Sequence, residues 1–161
     1  MVYMPRLRFY FSFLFAGLQL AAVPPASAAA SPARQATGQF DITMTSAASA
    51  QHDGSTIGRM VMEKRYHGEL DASAQGDMLT AITSTAGSAA YVAIERVSGT
   101  LHGRKGSFVL QHAGTRSGGT DRLDIAIVPD SGSGQLAGIS GKLAIKVVDG
   151  KHFYTLDYML P

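Results

Sequence analysis

Residues 91–114 read YVAIERVSGTLHGRKGSFVLQHAG, and residues 123–160 read LDIAIVPDSGSGQLAGISGKLAIKVVDGKHFYTLDYML. Apolar side chains recur at every second position in both stretches. Gly, Ser, Asp and Pro separate one run from the next. A period of two with such punctuation is the mark of antiparallel strands. Five strands are predicted here: Ala90–Leu101, Ser107–Gly114, Arg122–Val128, Gly141–Val148 and His152–Leu160. Pro129-Asp130-Ser131-Gly132 is a turn, and Asp149-Gly150 is a two-residue hairpin between the last two strands.

Working back toward the N-terminus, the same period continues. Thr37–Thr45 alternates Phe40, Ile42 and Met44 with Asp41, Thr43 and Thr45. Ser46–Ser55 reads as a polar loop with Asp53-Gly54 as its turn. Ile57–His67 places Met60, Met62, Lys64 and Tyr66 on one face, and Gly68–Thr83 is a third strand with a bulged middle at Ser73–Gly76. No segment after residue 28 carries a helical period. Eight strands at this spacing predict an all-β, eight-stranded antiparallel up-and-down barrel, because closure removes exposed edges. A two-sheet sandwich is the alternative.

The first 28 residues differ in kind. Arg6 and Arg8 precede an apolar stretch from Phe9 to Val23. Pro24-Pro25 then break it, and Ala26-Ser27-Ala28 fits a cleavage site. The stretch is short of the roughly 20 residues of a membrane span. Residues 1–28 are therefore expected to be a Sec-type signal peptide, 29–36 a disordered lead-in, and 37–161 the barrel domain. The expected location is periplasmic or secreted, with no stable membrane anchor after cleavage. The chain has 14 Lys+Arg and 12 Asp+Glu. Without Arg6 and Arg8 it holds 12 of each, so the basic excess belongs to the leader. The remaining charges are interleaved, as in Arg59, Glu63, Lys64, Arg65 and Glu69, with no basic stripe for nucleic acid. There is no Cys, hence no disulfide and no thiol chemistry.

The chain from about Gln39 to Leu160 resembles a bacterial family, domain-of-unknown-function family 3224. The resemblance is carried by GRMVMEKRYHGEL (58–70), by residues 91–114, by VPDSGSGQLAGISG (128–141) and by DGKHFYTLDY (149–158). It implies a barrel like that of plant allene oxide cyclase. Cyclases and dirigent proteins carry a glycine block similar to Gly134–Gly141. The resemblance implies geometry and no reaction, and no cyclase catalytic residue maps onto a position here. Those cyclases and dirigent proteins assemble as trimers, so the resemblance implies a homo-oligomer, with its stoichiometry left open.

Candidate chemistry rests on few side chains. Tyr91, Ala93, Glu95 and Val97 share one face of a strand. If that face is internal, Glu95 is a carboxylate in an apolar cavity with a raised pKa, suited to acid/base work. Alternation alone leans the other way, with Val92 and Ile94 in the core and Glu95 outside. His112 follows Phe108 and Leu110 on one face and is expected either beside Glu95 at a barrel mouth or as a satisfied core histidine. Lys64 either pairs with Glu95 or snorkels to the rim. Tyr154, Leu156, Tyr158 and Leu160 form one face, expected as core. The histidines have no H-x-H or H-x-x-x-H pair, so neither a metal nor another cofactor is expected.

The leading expectation is a barrel binding a small, largely apolar ligand. Met60, Lys64, Tyr91, Phe108 and Tyr158 would line it, with Glu95 and His112 as polar anchors. One alternative is an isomerase or cyclase of an unsaturated, lipid-like substrate, with Glu95 and His112 catalytic. The other is a filled barrel acting as a structural or interaction module, with an apolar outer patch for self-association.

Overall fold

The computed structural model describes residues 32–161. The expected signal peptide and residues 29–31 of the lead-in lie outside them. Nine strands follow in order: β1 Arg34–His52, β2 Ser55–Gly68, β3 Leu70–Thr83, β4 Ala89–Leu101, β5 Arg104–Ser117, β6 Thr120–Ile127, β7 Ser133–Gly134, β8 Ser140–Val148 and β9 Lys151–Met159. Eight of them close a ring, β1-β2-β3-β4-β5-β6-β8-β9 and back to β1, while β7 is a two-residue addition to β5. Every pairing is antiparallel. Closure through β4–β5 and β9–β1 sets the sandwich aside. The β8–β9 hairpin turns at Asp149-Gly150, with Val148 opposite Lys151.

Three local expectations change. Ser46–His52 is strand and not loop: β1 runs on to pair His52 with Ser55. Its small polar residues lie on an extension exposed on both sides, so burial imposes no period on them. The lead-in is also shorter than expected, since Arg34–Ala36 already pairs with β9. The bulge lies in β1 between Ser46 and Ala48, whereas β3 passes Ser73–Gly76 in unbroken register with both neighbours. The small residues of β3 are there for another reason. Ala72, Ala74 and Gly76 face inward and leave room for the long side chains of β2 and β4.

The two ends of the ring differ. At one end Leu70, Leu101, Tyr158 and Leu160 are buried. The segment between β6 and β8 folds across that end, burying Leu136 and Ile139. Gln135 N donates to Lys105 O at 2.9 Å and Val109 N donates to Ser131 Oγ at 3.1 Å, which ties this plug to β5. His102, in the β4–β5 turn, bridges Tyr158 OH (2.8 Å from Nδ1) and Glu69 Oε1 (3.2 Å from Nε2). At the other end the inward positions Met44, Met60, Met78 and Tyr91 are half-buried, and among the described residues no segment crosses above them.

Candidate functional site

Four polar side chains from three strands of the wall meet inside the barrel. Lys64 and Tyr66 come from β2, Glu95 from β4 and His112 from β5. Glu95 is 0% exposed, which corrects the reading that placed Val92 and Ile94 in the core. Alternation could not decide this, because both faces of β4 contain aliphatic residues. The decision comes from across the barrel. Ala74 and Gly76 on the intervening β3 present almost no side chain, so Lys64 can reach past them to Glu95.

Lys64 Nζ donates to Glu95 Oε2 at 2.7 Å, and Tyr66 OH donates to Oε1 at 2.8 Å. Both carboxylate oxygens therefore have a donor. Lys64 Nζ also lies 3.4 Å from Tyr66 OH and 4.9 Å from the centre of the Phe40 ring, a cation–π contact on its apolar side. His112 Nε2 is 2.9 Å from Glu95 Oε2. Its alignment is poor, and among the described residues it is the buried side-chain nitrogen without a well-directed hydrogen-bond partner. The well-directed ion pair of the cluster is Lys64–Glu95. A buried ion pair of this kind survives desolvation only because the remaining lone pairs are satisfied.

The expectation of a raised Glu95 pKa is also corrected. Burial does push it up, but the His112 contact and the Lys64 charge outweigh burial and hold it below its ordinary value of 4.5. Tyr66 moves the other way: burial, then the adjacent Glu95 carboxylate, push its phenol well above 10.0. The cluster is thus an ionised carboxylate held by a lysine and a neutral phenol.

The other candidate residues separate in space. Lys64, Glu95 and His112 are brought together, and Tyr66 joins them. Tyr66 shares a face with Lys64 in the sequence, and its period-two spacing was the available signal for it. Met60 and Tyr91 lie toward the open end. The Tyr91 ring lies against Gly114 of β5, where a Cβ would collide with it. Burial and then Glu95 raise the Tyr91 phenol above 10.0. Phe108 and Tyr158 are buried in the packed core and line none of the cavities described here. Tyr154, Leu156 and Leu160 share that core, as their spacing predicts.

Above Tyr91 the open end holds a recess of about 380 Å³. Met78, Thr80 and Ile82 of β3, Tyr91 of β4 and Leu123 of β6 line it. Its polar edge is the Arg116–Asp121 pair, with Nε 2.6 Å and Nη2 2.8 Å from the two carboxylate oxygens. A larger polar groove of about 510 Å³ lies on the outer wall around Asp41, Glu63, Arg65 and Arg96. Its charges are of both signs and mostly exposed, and buried Lys64 is among the residues that border it. Among the described residues, no three His, Cys, Asp or Glu side chains are grouped as metal ligands.

Comparison with known proteins places the chain. A family profile described as "protein of unknown function (DUF3224)" matches residues 36–158. A crystal structure of a protein of unknown function from the same family, from Shewanella oneidensis MR-1, is similar with a TM-score of 0.77 and 45% identity. The match covers 81% of this chain and 98% of that one. No curated protein shows significant similarity. With a family match across the whole barrel, and a related crystal structure of the same topology class, this chain belongs to the DUF3224 family.

Proposed function

We propose that this protein binds a small, largely apolar molecule at the open end of its barrel. The observation that carries the reading is the recess lined by Met78, Ile82, Tyr91 and Leu123, at the end that no described segment covers. Concave, mostly apolar sites with few polar groups are where small ligands bind. Met60 and Tyr91 belong to this end, while Lys64, Glu95 and His112 form a charged floor deeper in the barrel. Methionine side chains suit such a lining, since they adapt to irregular shapes. Export guided by residues 1–28 belongs to the same reading, and it would place the ligand outside the cytoplasm.

The isomerase alternative, which leans on likeness to the allene oxide cyclase barrel, finds less support. A general acid must hold a proton at working pH, and a general base must present a free lone pair to its substrate. Glu95 is held ionised, with both oxygens occupied. The filled-barrel alternative is favoured by one feature, the apolar outer wall, which is compatible with a ligand at the open end.

Native mass spectrometry of the protein from its own host tests the reading. A bound small mass is expected, and Thr80→Trp, which fills the recess, is expected to abolish it. A clean protein mass that also fails to take up a solvatochromic apolar dye would sink the proposal.

A further inference from the structure

The outer wall of β3–β5 carries aliphatic side chains that the described residues leave uncovered. Leu79 is 52% exposed, Val92 55% and Ile94 56%. Isolated exposed aliphatics are ordinary, but a contiguous group marks a contact surface. These three are contiguous: Leu79 and Val92 are register partners, and Ile94 lies two residues along β4 on the same face. Shallow depressions beside them are floored by small residues, Ala113 among them.

The register arranges this wall in rows. One row runs Arg59–Leu79–Val92–Ala113–Asp124 across β2 to β6. Val92 is its centre, large Leu79 is balanced by small Ala113, and cationic Arg59 by anionic Asp124. The row is antisymmetric in both size and charge about β4. Such a pattern is self-complementary. A twofold axis lying along β4 sets Arg59 against the partner's Asp124, Leu79 against the partner's Ala113, and Val92 against Val92. The other in-plane twofold, across the strands, would set Arg59 on Arg59 and Asp124 on Asp124. Charge therefore selects the first.

We propose that this wall is the interface of a symmetric homodimer, with the twofold axis running along β4. An isologous contact needs a patch that complements itself, and closes at two copies. Aligned sheet-on-sheet packing is an ordinary arrangement for two such faces. The apolar centre and charged rim follow the usual anatomy of interfaces. Arg59 already pairs with Asp77 (2.5 Å) and Asp124 with Lys142 (2.8 Å), both exposed, so the rim pairs join existing surface networks. Five strands span only about 19 Å of a convex wall. The contact is therefore smaller than the roughly 800 Å² per partner of a standard interface, and the dimer depends on concentration.

Sedimentation equilibrium of the purified full-length expression product, over a concentration series into the hundreds of micromolar, is the test. The expected result is a monomer–dimer equilibrium. Val92→Asp, with an unchanged circular dichroism melt, is expected to abolish it. Arg59→Asp and Asp124→Arg should each weaken association by about tenfold, through like charges facing each other. The double swap R59D/D124R should restore it. If Val92→Asp fails to fold, the exposed charge swap carries the test alone. A wild-type monomer throughout, a trimer, a dimer indifferent to Val92→Asp, or a double swap no better than the single variants would overturn the proposal.

Discussion

The plugged end and the open end of this barrel are built from the same alternating pattern and end in opposite states. At the plugged end, Leu136, Ile139, Tyr158 and Leu160 fill the lumen, and the β6–β8 segment supplies two of those four. At the open end, inward Met44, Met60, Met78 and Tyr91 have the same parity, but no described segment covers them. Inward direction is thus a property of the strand, whereas burial is a property of what lies above it. Between the two ends sits the Lys64–Tyr66–Glu95–His112 cluster, buried below the recess.

The largest effect should come from breaking that middle layer. Glu95→Leu strands the Lys64 charge inside the barrel and is expected to destabilise by about 3–5 kcal/mol in urea denaturation. The double variant Lys64→Met/Glu95→Leu should be markedly less damaged than the sum of its parts. If the two losses simply add, the cluster is not a coupled unit.

The next test contrasts the ends directly. Leu110→Ala, in the packed interior, is expected to lose about 2–5 kcal/mol. Met78→Ala, at the half-open recess, should lose far less, since it leaves no sealed cavity. Equal losses would erase the distinction between a filled and an unfilled end. Two glycines sharpen it. A methyl group at Gly99 meets the backbone of Asp71 and Ala72, which cannot yield, whereas one at Gly114 meets the Tyr91 ring, which can swing into the recess. Gly99→Ala should lower the thermal midpoint more than Gly114→Ala, each within about 1–3 kcal/mol of overpacking.

A smaller effect concerns pH. Glu95 titrates below 4.5 when folded, so its contribution is full above that value and is lost as pH falls through the folded pKa. Tyr66 titrates above 10.0 when folded, so its contribution is full below that value and is lost as pH rises through its folded pKa. Urea midpoints across pH should show an acid limb that Lys64→Met/Glu95→Leu flattens and an alkaline limb that Tyr66→Phe flattens. The smallest effect belongs to the recess edge: Arg116→Gln, in a fully exposed pair, should leave the midpoint unchanged.

The alternation of residues 91–160, the turn at Asp149-Gly150 and the core face of β9 were legible from the residues alone, because a half-buried strand writes its burial at a period of two. So was the set of polar candidates, since Lys64, Glu95 and His112 stand out on otherwise apolar faces. The end of β1 was not legible, because Ser46–His52 is exposed on both sides and exposure imposes no pattern. Nor was the inside of β4. Its two faces are both compatible with a core, and the choice depends on Lys64 arriving from β2 across the small side chains of β3. Glu95 was expected to be a protonatable acid on burial alone, but tertiary contacts reversed its shift. The sequence by itself determined which residues alternate and which are ionisable. Only the closed ring decided which of them meet, because register and closure join positions dozens of residues apart, and the energy of a buried charge is set by those neighbours.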